Sequence, residues 1–176
     1  MLFWHVGATI AFTRYAFRDE AMDLRLLALG AILPDLIDSP IGLAFWPEFW
    51  TVRLAAHSLL FATLLLVVVM AATRRGRPRK RWMPLAVGVL LHLVLDGMWR
   101  LPSTLWWPFL GWTFDATSFA TVGDYLTWLL TDLRTWGLEA AGLAYLAALA
   151  SRSDLRDPDA RRLLFTTGRV QAPIGR

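Results

Sequence analysis

Cysteine is absent from the sequence, so the chain forms no disulfide bonds and offers no thiolate ligand to a metal. Histidine is scarce as well, and its three occurrences are His5, His57 and His92. Any bound metal must therefore be held by histidine, aspartate or glutamate. The N-terminal residues lack the basic region and the small-residue cleavage site of a secretory signal peptide, so we expect no removable leader.

Apolar residues dominate the composition. They make up 56% of the chain, whose mean hydropathy is +0.45, whereas soluble proteins contain roughly 45–50%. The 176 residues suffice for one domain and are too few for two comfortable ones. The ten tryptophans fit a membrane protein, because tryptophan gathers at the two membrane interfaces. The composition predicts an integral membrane protein.

The net charge of +4 arises mainly from two basic clusters, residues 74–81 and the C-terminal tail. Basic clusters that flank apolar segments typically mark the cytoplasmic side of a membrane. We therefore expect membrane lipids as partners and no specific nucleic acid. Nothing in the sequence indicates an oligomeric state.

The hydrophobic pattern predicts an all-α fold, a polytopic bundle of about four to five transmembrane helices. The apolar segments are residues 2–17, 24–37, 54–73, 83–98 and 125–150. Residues 54–73 match the length of a membrane span best. Residues 1–150 would form the membrane-embedded domain and residues 151–176 a polar, partly disordered cytoplasmic tail.

Proline interrupts the second apolar segment. Pro34 lacks a backbone donor and disfavours helix at the preceding residue, so this helix should bend or end near Leu33. Asp35 and Asp38 would then lie at its frayed end, where capping is an alternative to metal binding. Residues 39–53 and 99–124, which are rich in tryptophan and proline, should be interfacial loops.

His92 and Asp96 stand four residues apart in an apolar segment. On a helix this spacing places both side chains on one face, as two ligands of one metal would require. A single histidine in an apolar helix is more often a satisfied structural residue. Ionisable residues inside a membrane are nevertheless functional candidates by default.

The depth of these residues in the membrane tests whether they can meet. The positive-inside rule places residues 74–81 in the cytoplasm, and the other connections follow by alternation. With a rise of about 1.5 Å per residue, five side chains lie in the outer half of a core about 30 Å thick. These predicted metal ligands are His5, Asp35, His57, His92 and Asp96. Imidazole and carboxylate favour Zn²⁺, with Mn²⁺ or Mg²⁺ possible.

Several motifs along residues 1–110 carry a family resemblance. They are His5-x-Gly7, G-A-I-L-P-D-L-I-D at residues 30–38, Arg53 before H-S at 57–58, H-x-x-x-D at 92–96, and W-W-P-F at 106–109. As a set they resemble the membrane-bound, metal-dependent hydrolases of the bacterial inner membrane. The order of the ligands is also similar, more loosely, to that of zinc-dependent phospholipases C. Because a fourth histidine is missing, one or two metals fit better than three.

Four further residues are candidates for catalysis. Asp38 would be a second ligand or a general base. Arg53 and Arg100 each stand four residues from a predicted ligand and would bind a substrate phosphate, or else anchor the chain at the interface. Ser58 would orient His57 or touch substrate.

The leading hypothesis is a membrane-embedded metal-dependent hydrolase of an ester or phosphoester. A site in the outer half of the bilayer favours a lipid or lipid-linked substrate, in a phospholipase-like reaction. The alternatives are a non-catalytic membrane protein that carries metal ions or protons, and a structural or regulatory partner that acts through the basic clusters.

Overall fold

The fold is all-helical over residues 1–172, the part of the chain described by the computed structural model. This range contains nine α-helices and no strand, so the predicted all-α class is confirmed. They are α1 (Leu2–Phe17), α2 (Leu24–Ala44), α3 (Trp46–Phe49), α4 (Leu59–Ala72), α5 (Arg77–Leu95), α6 (Pro102–Leu105), α7 (Val122–Thr131), α8 (Leu133–Arg152) and α9 (Pro158–Thr167). Two 3₁₀ turns, Ala55–His57 and Met98–Arg100, precede α4 and α6.

Each long helix packs against one or more other long helices. Helix α5 contacts α2 and α4, and α1 contacts both α2 and α8. Among the described helices, α2 alone is both long and apolar enough to cross a membrane. Helices α1 and α4 have 16 and 14 residues, fewer than the roughly 20 of a straight span, and α5 begins with a basic run. The expected four to five spans therefore stay a prediction.

Helix α2 does not end near Leu33, so of the two predicted outcomes, a bend or an end, the end is wrong. The helix continues through Pro34 and Pro40 to Ala44. Packing against α5 and α1 stabilises the helix beyond what local propensity indicates. Asp35 and Asp38 consequently lie inside a helix, three residues apart and close to one face, and neither caps a helix end. The predicted loop at 39–53 is likewise partly helical.

The start of α2 is fixed by a buried cap. The Asp23 side chain accepts hydrogen bonds from the backbone N–H groups of Arg25 and Leu26, 3.1 and 3.4 Å away. Burial raises the pKa of Asp23, but the hydrogen bonds from Arg25 and from the backbone outweigh it and leave that pKa below its usual value. The ionised carboxylate suits the positive end of the helix dipole.

Helix α4 is shorter than the predicted helix at 54–73 because its N-terminal part is held in another conformation. The Asp38 carboxylate accepts hydrogen bonds from the backbone N–H groups of Leu54, Ala56 and His57. The helix begins only after Ser58, whose Oγ accepts from Phe61 N at 3.1 Å. His57 therefore lies on the preceding 3₁₀ turn.

The last apolar segment and the tail also differ from expectation. Residues 125–150 form no single helix, because Asp132 ends α7 and caps α8 by accepting a hydrogen bond from Thr135 N at 2.9 Å. In the tail, residues 158–167 are helical, and Leu24 N donates to Gly168 O at 2.8 Å. Residues 173–176 of the predicted tail lie outside the described range, and the domain boundary near 150 stays a prediction.

Basic segments meet at one end of the molecule. A cavity there is lined by the end of α1, the α1–α2 loop, the α4–α5 turn and the first part of α5, including Phe17, Met22, Arg79 and Lys80. The end of α8 joins them, since Leu149 packs on the cluster around Leu24. This end is called the basic end below. His5, near the start of α1, and the start of α4 lie at the ends of their helices that are opposite to the basic end.

Helices α2 and α5 touch backbone to backbone, and we expect Gly30→Ala to separate them. A Cβ on Gly30 would lie 2.1 Å from Leu85 O, and Gly88 faces Leu27 O in the same way. The substitution should cost about 1–3 kcal/mol of stability, measured as a lower thermal midpoint in detergent. Gly137→Ala in α8 is the matched control, because a Cβ there meets nothing within 4 Å. An unchanged midpoint for Gly30→Ala would contradict the close packing.

Candidate metal centre

Four elements bring their ionisable side chains to one place. His5 comes from α1, Asp35 from α2, His57 from the 3₁₀ turn before α4, and His92 and Asp96 from the end of α5. The three histidines are at most 1% exposed. Of these residues, Asp35, His57, His92 and Asp96 place one potential ligand atom each within 4.8 Å of one another. These four are called the ligand group below.

The distances inside the ligand group are short. His57 Nε2 lies 3.2 Å from His92 Nε2 and 3.4 Å from Asp35 Oδ1. The same nitrogen is 3.8 Å from Asp96 Oδ2, and His92 Nε2 is 3.8 Å from Asp35 Oδ1. Two imidazole nitrogens and two carboxylates thus surround one small volume.

His5 lies against the edge of the ligand group. Its Nε2 is 3.0 Å from Asp96 Oδ1, yet this buried atom makes no aligned hydrogen bond. Its ring stacks on the ring of His92 with the centroids 4.3 Å apart. Because His5 Nδ1 donates to Met1 O, the lone pair of the neutral ring lies on Nε2 beside Asp96, so His5 Nε2 is a further donor for a cation.

Each imidazole is oriented through its other nitrogen. His57 Nδ1 lies 2.7 Å from Asp38 Oδ2, and His92 Nδ1 lies 2.7 Å from Ala31 O. His5 Nδ1 contacts Met1 O. Carbonyl and carboxylate oxygens only accept, so Nδ1 donates in each case and Nε2 keeps its lone pair when the ring is neutral. This is the usual arrangement behind metal-binding histidines.

The arrangement fits a divalent cation better than a neutral hydrogen-bonded core. Two Nε2 lone pairs of His57 and His92 face each other at 3.2 Å, which is unfavourable unless a proton or a cation lies between them. Two carboxylates, from Asp35 and Asp96, add negative charge to the same volume. Three imidazoles and two carboxylates together match the donors that zinc sites use. The structure therefore contains a candidate metal site.

Asp38 lies behind His57 and away from the ligand group. It is 2% exposed and accepts hydrogen bonds from three backbone N–H groups and from His57 Nδ1. Both carboxylate oxygens of Asp38 therefore accept hydrogen bonds from the residues of the 3₁₀ turn and the residue before it. The structure makes Asp38 the residue that orients His57, and its predicted role as second ligand or base is not supported by this placement.

Arg53 reaches the ligand group, whereas two other predicted residues do not. Arg53 Nε donates to Asp96 Oδ2 at 2.6 Å. Arg100 is exposed, and no hydrogen bond or ion pair joins its side chain to the ligand group within the described range. Ser58 Oγ donates to Ala55 O at 2.7 Å and caps α4, so it does not face the centre.

A cavity of about 310 Å³ opens onto the ligand group. Asp35, Asp96 and Arg53 form its polar part, together with Tyr125 of α7. The remaining lining is Met1, Ser39, Leu43, Val52, Leu126, Trp128, Leu129 and Thr135. The contribution of α7 is not predicted by the sequence, because nothing in the pattern of residues 122–131 links them to the motifs before residue 110.

Most of the chain matches one known protein family. A family model described as YdjM inner membrane protein matches residues 3–156. The chain belongs to the YdjM inner membrane protein family. No curated protein and no solved structure matches it significantly.

Membership in the YdjM family confirms the inner-membrane part of the sequence prediction. The family is described by its location and not by an activity, so the hydrolase assignment and the looser similarity to phospholipases C stay predictions. The residues that form the ligand group, from Asp35 to Asp96, all fall within the matched range.

Proposed function

We propose that this YdjM-family protein is a multi-pass enzyme of the bacterial inner membrane that uses a divalent metal to hydrolyse an ester or phosphoester. One observation carries the proposal. Two imidazole Nε2 atoms and two carboxylates converge on one small volume, and both carboxylates also line a cavity that exposes an arginine. Asp35, His57, His92 and Asp96 would hold the metal, with His5 as a fifth donor.

Zinc is the metal that these donors favour. Imidazole nitrogen binds Zn²⁺ well, whereas Mg²⁺ prefers a shell made mostly of oxygen. The two carboxylates leave Mn²⁺ as the main competitor. Five donors in one small volume support one or two ions.

A metal bound in this site supplies Lewis-acid activation of a water molecule and of a carbonyl or phosphoryl oxygen. The protein residues would do the rest. Arg53 is 29% exposed and lies at the cavity, so its guanidinium can contact a substrate anion while Nε stays on Asp96. Asp38 keeps the Nε2 atom of His57 aimed at the ligand group.

The cavity lining supports an amphipathic substrate. Its polar part lies at Arg53 and the two carboxylates, and its apolar part is formed by Leu43, Val52 and side chains of α7. A lipid or lipid-linked substrate would place its ester or phosphate at the first part and its hydrocarbon along the second. A phospholipase-like reaction is the best match in this class.

The exposed apolar surface of the helices supports about four to five membrane spans. Large apolar side chains are exposed on α1, α4 and α8 as well as on α2, the one clear span. Examples are Phe12, Leu36, Leu64, Val68 and Leu143. Contiguous exposed apolar surface of this kind is suited to contact with lipid tails. With the basic end in the cytoplasm, the ligand group lies toward the outer half, and a cysteine placed at Ser103 should label from outside.

The proposed function is tested on protein purified in detergent without added metal. We expect Zn²⁺ or Mn²⁺ in the wild type and measurable hydrolysis of a chromogenic phosphodiester. A chelator should abolish the hydrolysis and added metal should restore it. His92→Ala should lose both metal and activity, because it removes one Nε2 of the ligand group.

Two outcomes would reject the proposal. The metal site would be rejected if the purified protein contains no metal and added Zn²⁺ or Mn²⁺ fails to stabilise it. Bound metal with transport into proteoliposomes and without hydrolysis of any ester would favour the alternative, a non-catalytic carrier of metal ions or protons.

A further inference from the structure

A second, smaller cavity of about 180 Å³ lies between α1 and α8 at the basic end. Its lining comprises Arg14, Tyr15, Tyr145, Ala148, Leu149, Arg152 and Ala172. Arg14 is nine residues further along α1 than His5, a distance of roughly 13 Å on a helix. This cavity is therefore separate from the metal centre and is called the Arg14 cavity below.

Arg14 is a buried cation that has no carboxylate partner among residues 1–172. The residue is 6% exposed, and Nη2 donates to the backbone oxygen of Ala172 at 2.6 Å. Within residues 1–172, no aspartate or glutamate oxygen lies within 4.0 Å of its guanidinium. The carbonyl oxygen of Ala172 and the phenol oxygen of Tyr145, which also accepts from Arg14, are both neutral and do not balance the charge of the guanidinium. Burial of a charge is costly unless an opposite charge compensates it.

The lining of the Arg14 cavity supplies positive charge and hydrogen-bond donors, which an anion requires. Arg152 adds a second cation at the rim, and Tyr15 and Tyr145 contribute phenol groups that can donate hydrogen bonds. The lining contains no acidic residue. Arginine pairs with the oxygens of a phosphate group through parallel hydrogen bonds, which makes it the preferred residue for such sites.

The position of the cavity indicates where the anion comes from. It lies at the basic end, where the arginines of the α4–α5 turn also gather. In an inner-membrane protein this end is expected to lie at the cytoplasmic headgroup layer, which carries anionic lipids.

We propose that the Arg14 cavity binds a phosphate group, held by Arg14 and Arg152 and carried by the headgroup of an anionic phospholipid or by free phosphate. The cavity is formed by residues that take no part in the metal centre, so this proposal is independent of the hydrolase activity. Binding would compensate the buried charge and tie the end of α1 to the end of α8.

The test measures binding to full-length wild-type protein in a neutral detergent by isothermal titration calorimetry. The probes are short-chain phosphatidylglycerol, short-chain phosphatidylcholine and inorganic phosphate. Tight binding of phosphatidylglycerol that inorganic phosphate fails to displace would identify a lipid headgroup site. If inorganic phosphate by itself binds as tightly as phosphatidylglycerol, the cavity is a free-phosphate site. Binding of neither anion, or equal binding of phosphatidylcholine, would overturn the proposal.

Variants assign the binding to the cavity. Arg14→Gln should weaken anion binding at least tenfold, and Arg152→Gln several-fold because it removes only the rim cation. Arg74→Gln, an equal loss of charge in the exposed α4–α5 turn outside the lining, should leave the affinity unchanged. If Arg14→Gln fails to fold, Arg152→Gln and Tyr145→Phe decide the outcome. Anion binding that none of these variants weakens would overturn the proposal.

Discussion

Asp96→Asn is expected to lower the metal content of the purified protein to less than a tenth of the wild-type value. Asp96 contacts three site residues at once: its oxygens lie 3.0 Å from His5 Nε2, 2.6 Å from Arg53 Nε and 3.8 Å from His57 Nε2. The amide removes the negative charge that a bound cation and the Arg53 guanidinium both require. Elemental analysis of protein purified in parallel measures this loss.

The control for this prediction is Asp124→Asn. Asp124 forms the capping box of α7 with Thr121, where the same chemical change leaves the ligand group untouched. This variant should keep the wild-type metal content. Full metal content in Asp96→Asn would show that Asp96 pairs with Arg53 only and is not a ligand.

We expect Asp38→Asn to reduce both stability and metal affinity, because Asp38 supports the turn that carries His57. Its carboxylate accepts hydrogen bonds from three backbone N–H groups and from His57 Nδ1. Weakening charge-assisted, buried hydrogen bonds should cost about 3 kcal/mol, or about 6–12 °C in thermal midpoint for a chain of this length. Metal affinity should fall by about 10–100-fold, as for other residues that orient a ligating histidine.

Asp35→Asn separates the supporting role from the ligand role. Asp35 is in the ligand group, but its side chain is 33% exposed and carries no backbone hydrogen bond of the fold. We expect metal loss with little change in the thermal midpoint of the metal-free protein. If the metal-free forms of Asp38→Asn and wild type melt at the same temperature, the hydrogen bonds of Asp38 do not stabilise the turn.

The sequence alone determined the chemical identity of the donors. With no cysteine and three histidines, imidazole and carboxylate were the remaining ligand types. The spacing of His92 and Asp96 placed both at the end of one helix, because the rise and turn of an α-helix are constant. The same constancy predicted that His5 and His57 reach the same layer, and the structure places His5 beside Asp96 and His57 beside His92.

Tertiary structure decided which polar residues face the centre and which support it. Asp35 and Asp38 are three residues apart, yet the first joins the ligand group and the second turns to the backbone before α4. Sequence periodicity cannot distinguish these roles, since it fixes positions along one helix but not the rotation of that helix against its neighbours. That rotation is set by packing, such as the backbone contact between Gly30 of α2 and Leu85 of α5.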